Sequence, residues 1–366
     1  MHNDLLFQIA LTQVPNVGDV VTKILVGVFG SAEAIFRAPI HQLEKIEGIG
    51  TLRAHSIKKF NNFVDAENEL VFIEKAKIQP LFITDEVYPK RLLNCYDNPA
   101  LLYYRGTADL NQSKIISVVG TRANSDYGRA VCEKMIEELA AENVLIVSGL
   151  AFGIDTIAHK AALKNNLETI AVVAHGLDRI YPSQNTSLAK QMVFHGGLLT
   201  DFKSKTLPDR HNFPSRNRIV AGMCDALLVV ESGVKGGSLI TAELANGYNK
   251  DVFAIPGKTT DAKSEGCNFL VKNNKANLVT SAADILEFMN WKPAIKKDKK
   301  MQRALFIEMT ADEKVIVEIL QRKEQVHIDE LFLSSKLSSS AVAAALLMLE
   351  MQNVVSSLPG KMYQLL

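Results

Sequence analysis

The stretch I-I-S-V-V-G-T-R-A-N-S-D-Y-G-R-A-V-C-E-K-M-I-E-E-L-A-A-E-N-V-L-I-V-S-G, residues 115–149, decides the fold of the central part of this chain. Apolar runs lie near its two ends, at 115–119 and 144–147, and neither run alternates with polar residues. Such continuous runs are typical of strands that are covered on both faces of a parallel sheet. Residues 128–142 lie between them and have one apolar and one charged side, as in an amphipathic helix. The stretch therefore predicts a strand–helix–strand unit.

Three more apolar runs follow at 169–174, 226–230 and 252–255, and amphipathic segments separate them. Alternation of this kind predicts an α/β domain with a Rossmann-like, doubly wound parallel sheet. Glycines lie at or near the ends of these strands: Gly120, Gly149, Gly176, Gly257 and the segment around Gly236. Ligands of open α/β sheets bind at the carboxyl edge of the strands. We therefore expect the functional motifs of this chain on one side of the molecule.

The regions on either side of the sheet predict two further domains. Residues 1–66 contain two turn-and-helix patterns, P-N-V-G-D-V-V and E-G-I-G-T-L-R, which are typical of a helical helix-hairpin-helix/SAM-like domain. Such turns aim backbone N–H groups at phosphates, but they also occur in helical bundles that serve for packing. The sequence thus predicts a helical domain at 1–66, a Rossmann-like domain at 78–291, a basic linker at 292–305 and a winged-helix domain at 306–366.

The expected recognition helix of the winged-helix domain runs from Ser338 to Met351 and contains no Lys or Arg. Without cations it has no group to neutralise phosphates or to form bidentate contacts with guanine. We therefore predict that this helix does not read DNA, and that the domain serves protein docking or a structural purpose.

The charge of the chain is local, because a formal net charge of +1 conceals two basic clusters. Residues 203–218 contain five Lys or Arg and one Asp, and residues 292–303 contain six Lys or Arg and one Asp.

The four cysteines form no C-x-x-C pair, which indicates neither a zinc site nor a disulfide framework and suits a reducing cytosol. No signal peptide and no apolar run of membrane-spanning length is evident. We expect a cytoplasmic protein with no membrane contact, no metal and no cofactor.

The segment P-D-R-H-N-F-P-S-R-N-R-I-V-A-G, residues 208–222, combines guanidinium groups with an aromatic ring. Arg210, Arg216 and Arg218 supply charged forks for phosphate oxygens, and Phe213 supplies a flat face on which an unpaired base can stack. This composition favours single-stranded nucleic acid. The alternative is that the arginines are solvated and that Phe213 anchors a loop.

Common enzyme motifs are missing from the strand ends. The turn S-V-V-G-T-R lacks the G-x-G-x-x-G fingerprint of dinucleotide-binding folds, and the chain has neither a P-loop nor a G-x-S-x-G motif.

Arg122 follows the first strand, where it can meet a phosphate or form a surface ion pair. Asp155 and His159 lie at i and i+4, a spacing more typical of a structural pair than of catalysis. The segment E-S-G-V-K-G-G-S-L-I-T, residues 231–241, predicts a phosphate cradle in which backbone amides and the hydroxyl groups of Ser238 and Thr241 face an anion.

The motifs V-V-G-T-R, S-G-L-A-F-G-I-D-T-I-A-H, G-L-D-R-I-Y-P, F-P-S-R-N-R-I-V-A-G, G-G-S-L-I-T-A-E-L-A and F-A-I-P-G resemble those of the DprA/Smf family in order and spacing. The resemblance implies a homodimeric bacterial protein without catalytic activity that binds single-stranded DNA. It further implies that the protein loads RecA recombinase onto this DNA, in competition with single-strand-binding protein, during natural transformation. Ser183 departs from the family pattern, since many members have a basic residue after Tyr-Pro. The DNA-binding residues predicted on this basis are Gly120, Thr121, Arg122, Arg210, Phe213, Arg216, Asn217, Arg218, Lys235, Gly236, Gly237 and Ser238.

Two other functions remain open at the level of sequence. The segment G-G-S-L-I-T-A-E partly matches the P-G-G-x-G-T-x-x-E loop of LOG-like nucleotide phosphoribohydrolases through Gly236, Gly237 and Glu243. The other alternative is a protein-interaction scaffold with only incidental affinity for DNA. A phosphoribohydrolase would release free base from nucleoside monophosphates, and a scaffold would bind duplex and single-stranded DNA equally well.

Overall fold

A computed structural model describes residues 2–291, 309–321, 323, 325–352, 354–358 and 361–365. The chain divides into two compact units, Met1–Lys292 and Pro293–Leu366. The predicted basic linker at 292–305 lies outside the described residues.

Six helices form the N-terminal part of the first unit: α1 (His2–Leu11), α2 (Asp19–Phe29), α3 (Ala32–Arg37), α4 (Ile40–Glu44), α5 (Gly50–Lys59) and α6 (Phe63–Ala76). The turns that precede α2 and α5 contain residues in the left-handed region, namely Asn16 with φ 65° and Gly48 with φ 82°. Asn and Gly adopt this conformation more readily than other residues. The predicted helix-hairpin-helix region is confirmed.

A nine-stranded sheet follows, with the strand order β1-β2-β6-β5-β4-β3-β7-β8-β9. Its strands are β1 (Gln79–Phe82), β2 (Leu101–Gly106), β3 (Ile115–Val119), β4 (Leu145–Ser148), β5 (Thr169–Val172), β6 (Gly196–Thr200), β7 (Ala226–Val229), β8 (Asp251–Ala254) and β9 (Asn277–Leu278). The pairings β1–β2 and β2–β6 are antiparallel, and all the others are parallel. The predicted mostly parallel α/β sheet is confirmed, with β3, β4, β5, β7 and β8 as the five expected strands.

Eight helices connect the strands or flank them: α7 (Lys90–Leu93), α8 (Asp126–Leu139), α9 (Ile154–Lys164), α10 (Thr186–Met192), α11 (Asn212–Met223), α12 (Gly237–Gly247), α13 (Glu265–Lys272) and α14 (Ala282–Phe288). The helix expected at 128–142 corresponds to α8 and a short 3₁₀ turn at Ala140–Glu142. Ser125 caps α8, because its side chain accepts a hydrogen bond from the Gly128 amide. The segment at 208–222 is mostly helical, since its residues from Asn212 onward belong to α11 and not to a loop.

The strand order reverses between β3 and β7, because the chain builds the sheet outward from β3 in one direction and returns to its other side with β7. Loops that leave two neighbouring strands in opposite directions open a crevice at such a switch point. The loops that follow β3 and β7 contain Gly120–Arg122 and Ser232–Gly236, so the sheet topology brings together two of the predicted motifs.

The N-terminal helices share a hydrophobic core with one face of the sheet. This core includes Ile9 and Leu25 from the helices and Leu101 and Val173 from the sheet region. A salt bridge adds to it, since the Arg218 guanidinium on α11 lies 2.8 Å from a carboxylate oxygen of Asp19 at the start of α2. These contacts hold the first unit together, and the division into domains at 1–66 and 78–291 stays a prediction.

The second unit contains α15 (Ala311–Gln321), β10 (Val326–His327), α16 (Ile328–Ser335), α17 (Ser339–Met351), β11 (Val355–Leu358) and β12 (Met362–Leu365). Its strands form an antiparallel sheet in the order β10-β12-β11. The winged-helix architecture is confirmed. Within the described residues, no single helix is long and apolar enough to cross a membrane, and only α16 and α17 taken together, bent by 116°, meet the same criteria of length and composition.

Candidate functional site

A cleft of about 510 Å³ opens at the carboxyl edge of the sheet, at the switch point between β3 and β7. We call it the switch-point cleft. Most of its lining comes from three chain segments: the loop after β3, the start of α11 with the residues before it, and the loop after β7 with the start of α12. Ala151 and Asp155, from the loop after β4 and the start of α9, complete the lining. Ten of the twelve predicted DNA-binding residues line this cleft: Gly120, Thr121, Arg122, Arg210, Phe213, Arg216, Asn217, Gly236, Gly237 and Ser238. The structure thus brings together motifs that are more than 100 residues apart in the sequence.

Phe213 lies at the mouth of the cleft with a cation on one side and an aromatic ring on another. The guanidinium carbon of Arg122 is 5.1 Å from the centroid of the Phe213 ring, within the range of a cation–π contact. The Tyr181 ring lies 6.2 Å away, centroid to centroid, at an interplanar angle of 52°. Tyr181 is 45% exposed. The cleft therefore continues into a surface that carries two aromatic rings.

Sequence reasoning did not single out Tyr181 as a site residue. The signal was present, because Tyr181 belongs to the G-L-D-R-I-Y-P segment that follows β5 at the carboxyl edge of the sheet. An aromatic residue in a loop at this edge lies close to the ligand position of such folds.

Arg216 lies in the floor of the cleft and is only 4% exposed. It forms no ion pair or hydrogen bond with any of the described residues, and its Nε atom is buried without a partner. Burial lowers the pKa of Arg216, and the charge of Asp155 opposes that shift. The guanidinium packs against Gly149, where an added Cβ would lie 1.7 Å from Nη1. A buried cation without a direct hydrogen-bond or ion-pair partner is costly, and it favours the entry of an anion.

The Asp155 carboxylate is held by backbone amides, since it accepts hydrogen bonds from Gly149 N at 3.2 Å and Ala151 N at 3.3 Å. Burial raises the pKa of Asp155, and the charge of Arg216 opposes the rise. The two charged groups therefore compensate each other in part without direct contact, which leaves the hydrogen-bonding positions of Arg216 free.

His159, four residues along the same helix, is fully buried and pairs with Thr169 and not with Asp155. Its Nδ1 lies 2.7 Å from Thr169 Oγ1, and this hydroxyl donates to Ile146 O at 2.9 Å. Because the single hydroxyl proton is used, Nδ1–H must be the donor to Oγ1. Burial lowers the pKa of His159 to about 3, and the charge of Arg216 contributes. His159 is therefore neutral and structural, as the sequence interpretation expects.

The start of α12 forms the third wall of the cleft. Gly236 is the N-cap residue and Gly237 begins the helix, so the first amides of α12 have no acceptor within the helix. The two hydroxyl groups expected to face an anion are instead used internally: Ser238 Oγ donates to Ser232 Oγ at 2.7 Å, and Thr241 Oγ1 donates to Gly237 O at 3.3 Å. The anion-binding groups of this wall are therefore backbone amides, and a Cβ added at Gly237 would point into open space.

Two of the predicted site residues lie elsewhere. The side chain of Arg218 turns to the other side of α11, where its Nη2 lies 2.8 Å from Asp201 Oδ2 as well as from Asp19. Its Nη1 also donates to the Asp97 carbonyl. Lys235 is exposed in the loop before α12 but does not line the cleft. Arg218 thus occupies a structural position, because all its close contacts are within the protein.

The residue that would act in a phosphoribohydrolase is also outside the cleft. Glu243 is on the exposed side of α12, where its carboxylate lies 2.8 Å from Lys275 Nζ. Over the described part of the chain, His, Cys, Asp and Glu side chains form no group of three or more that could hold a metal ion. The cleft combines cations, amides and aromatic rings, a set of groups suited to binding a phosphate chain and a base.

In the helix-hairpin-helix region, a side chain connects the two turns. Arg53 on α5 donates from Nε to Asn16 O at 3.2 Å and from Nη1 to Gly48 O. Each acceptor belongs to one of the two hairpin turns. The guanidinium is thus used in packing the hairpins against each other, in line with the packing alternative for this region.

Comparisons with known proteins agree with this architecture. A family model described as DNA recombination-mediator protein A matches residues 79–290, a DprA winged-helix model matches 304–361, and a helix-hairpin-helix model matches 7–71. The chain is 32% identical to protein Smf of Synechocystis over 98% of both chains. Its structure is similar to that of DNA processing protein A from Streptococcus pneumoniae, with a TM-score of 0.66 and 35% identity over 77% of this chain and 96% of the other. A structure of the Helicobacter pylori protein, described for its single-stranded DNA binding mode, has a TM-score of 0.53 and 28% identity over 58% of this chain and 96% of that one.

Proposed function

This chain belongs to the DprA/Smf family of DNA-processing proteins, and from that premise we propose that it binds single-stranded DNA in the switch-point cleft. The observation that carries the proposal is Arg216, a cation that is 4% exposed at the floor of the cleft and has no hydrogen-bond or ion-pair partner among the described residues. A phosphate oxygen of the DNA supplies the missing acceptor.

The other groups of the cleft suit a nucleic-acid backbone that lies along the carboxyl edge of the sheet. Arg122 and Arg210 are exposed at its rim and add positive charge. The first amides of α12 add a second set of donors at a helix N-terminus, where an anion is favoured. The phosphates are thus held from two walls and from the floor.

Phe213 gives the preference for single strands. Its ring lines the cleft and can stack with a base only if that base is unpaired, because the bases of a duplex are stacked on their neighbours and face their pairing partners. Stacking and phosphate contacts carry little sequence information. We therefore assign to this chain a binding mode that is specific for single strands and tolerant of sequence.

We further propose that the protein passes the bound strand to RecA recombinase and that it does so in competition with single-strand-binding protein. In this function it acts as a homodimer and catalyses no reaction. Support comes from the matched family model, which is described as a recombination mediator. The expected assay result is faster assembly of RecA filaments on DNA coated with single-strand-binding protein. The Arg216→Met variant should lose this acceleration, because it cannot hold the strand.

The central experiment compares fluorescence anisotropy of oligothymidylate with that of a duplex of equal length, over a range of salt concentrations. We expect the single strand to bind at least tenfold more tightly at moderate salt. Equal affinities for the two ligands would refute the stacking cleft and favour the scaffold alternative. Release of free base from nucleoside monophosphates would instead support the phosphoribohydrolase.

A further inference from the structure

A second surface of the first unit carries cations and an aromatic ring. It is a groove of about 430 Å³ along α10, and we call it the α10 groove. Its polar lining includes Arg105 on β2, Asp178 and Arg179 after β5, and Lys190 on α10, and Phe194 lies at its far end. None of these residues belongs to the switch-point cleft.

The charge of the α10 groove is positive, and much of it is uncompensated. Arg105 and Lys190 are exposed, and neither forms an ion pair or a side-chain hydrogen bond with a residue that the structure describes. Asp178 is the acidic residue of the lining, and it lies 2.7 Å from Arg179 Nη2. The other oxygen of Asp178 accepts a hydrogen bond from Lys205 N at 2.9 Å. Two free cations therefore remain available to an anionic ligand.

Phe194 offers an unused aromatic face, since 74% of it is exposed. The residue lies in the turn between α10 and β6. Its backbone is fixed, because its carbonyl accepts a hydrogen bond from Thr107 Oγ1 at 3.2 Å. A ring of this exposure on a well-anchored backbone is a suitable stacking platform for one base.

Three consecutive residues link the α10 groove to the switch-point cleft along the chain. Arg179 and Ile180 line the groove, and the next residue, Tyr181, is the aromatic neighbour of Phe213. From there α10 runs along the flank of the sheet toward Phe194, and its seven residues span about 10 Å. A strand that leaves the cleft over Tyr181 therefore meets cations and then a second aromatic ring.

We propose that the α10 groove is a second segment of the single-stranded DNA path, which binds phosphates through Arg105 and Lys190 and stacks one base on Phe194. This inference rests on the function proposed for the switch-point cleft and extends it. Nucleotides beyond those in the cleft leave the rim of the sheet at Tyr181 and follow α10 along its flank.

The alternative occupant is an acidic peptide of a partner protein, because the groove also has apolar walls, including Leu177 and Val193. DNA is favoured by the chain segment Arg179–Tyr181, which runs from the groove to the ring beside Phe213, and by cations placed on two different elements, β2 and α10. A strand of regularly spaced phosphates can reach both.

The test uses the full chain with two lengths of oligothymidylate, about 6 and about 20 nucleotides, so that the shorter one occupies the cleft alone. The double variant Arg105→Ala/Lys190→Ala removes the two free cations. We expect it to bind the short oligomer like the wild type. For the long oligomer we expect weaker binding. The slope of log affinity against log salt should also be smaller, by about 0.7 for each phosphate contact that the variant loses. Phe194→Ala should weaken binding of the long oligomer by about tenfold with no change of slope.

The matched control is Lys75→Ala/Lys272→Ala, which removes the same charge from exposed positions outside both surfaces. If the groove variants bind the long oligomer as this control does, the groove is not part of the DNA path. The same conclusion follows if they keep wild-type DNA affinity but lose RecA loading, an outcome that would indicate a protein partner. Failure of the wild type to bind even the short oligomer would refute the cleft itself, so the two proposals fail in distinguishable ways.

Discussion

The guanidinium carbon of Arg122 lies 5.1 Å from the centroid of the Phe213 ring. One residue follows β3 and the other begins α11, so the contact joins two walls of the switch-point cleft. A cation placed at an aromatic face restricts the position of the ring. Because one partner carries charge and the other does not, substitutions at the two positions separate electrostatic from stacking contributions.

Replacement of Phe213 by Leu keeps an apolar side chain but removes the aromatic face. We expect the affinity for oligothymidylate to fall by about 1–3 kcal/mol, the contribution of one stacked base. The dependence of affinity on salt should stay the same, because the charge of the protein does not change. Anisotropy titrations at several salt concentrations measure both quantities. A decrease in the salt slope instead would show that the ring acts through the position of Arg122.

The substitutions Arg122→Ala and Arg210→Ala each remove one rim cation. We expect weaker binding of every single-stranded sequence to a similar degree, and a slope of log affinity against log salt that is smaller by about 0.7 for each phosphate that the removed arginine neutralises. Arg129→Ala is the control, because Arg129 is an exposed arginine on α8 outside the cleft. Unchanged slopes in both rim variants would refute the proposed groove.

Replacement by Met should affect mainly DNA binding at Arg216 and mainly stability at Arg218. Arg216→Met removes a buried cation that forms no hydrogen bond or ion pair, so we expect about tenfold or greater weakening of DNA binding. Its loss of stability should be smaller than that of the Arg218 variant, and it arises because the buried Asp155 carboxylate loses a compensating charge. Arg218→Met leaves the carboxylates of Asp19 and Asp201 without their partner, which costs about 3 kcal/mol of folding free energy. Urea unfolding and DNA titration of the folded variants test both effects. Strong loss of DNA affinity in the Arg218 variant would show that the N-terminal helices matter for binding.

Two glycines of α12 allow a test of close approach by phosphate. An added Cβ meets no atom within 4 Å at either Gly237 or Gly247. Alanine in a helix is favoured over glycine by about 0.5–1 kcal/mol, so neither variant should lose stability. Gly237 begins the helix at the cleft, and Gly247 ends it away from the cleft. We expect Gly237→Ala to weaken DNA binding and Gly247→Ala to leave it unchanged, and equal affinities would contradict amide contacts at this helix start.

His159 predicts a pH dependence of stability. Its pKa in the folded protein is lowered to about 3, because the ring is buried and lies near the charge of Arg216. An unfolded chain has its histidine pKa near 6.5, so the folded state is favoured fully above that pH and loses stability as the pH falls toward 3. From pH 7 to 5 this group should reduce the unfolding free energy by about 2 kcal/mol.

The measurement for His159 is urea unfolding at pH 7 and pH 5, with His159→Gln for comparison. The variant is less stable at pH 7, since the side-chain hydrogen bond to Thr169 is altered, but it lacks the titrating group. Its loss of stability between the two pH values should therefore be smaller than that of the wild type. An equal loss in both proteins would assign the pH dependence to other groups.

Much of the fold could be predicted because its signals are local. The five central strands are continuous apolar runs, and a covered parallel strand needs no more than that. β6 was missed because G-G-L-L-T is short and begins with two glycines, which are depleted in strands. β1 and β2 were missed because they precede the periodic region and pair antiparallel with the edge of the sheet. Their place depends on neighbours that are distant in the sequence.

The candidate site, like the fold, could be predicted from the sequence only in part. Glycines at strand ends and the composition of 208–222 were sufficient to predict that the motifs share one edge, since the carboxyl ends of parallel strands meet there. The hydroxyl groups of Ser238 and Thr241 were expected to face an anion, but both donate within the protein. Whether a hydroxyl is free depends on the acceptors around it, and these come from the folded loop.

The sequence by itself determined the class of fold, the edge of the sheet where the motifs gather and the kinds of chemical group found there, because each follows from short-range periodicity and composition. Only the tertiary structure decided what each arginine does. Arg216 and Arg218 are two residues apart in R-N-R, and a helix with 3.6 residues per turn points them about 200° apart. One is therefore buried in the cleft without a partner, and the other is paired with two carboxylates on the opposite side of α11.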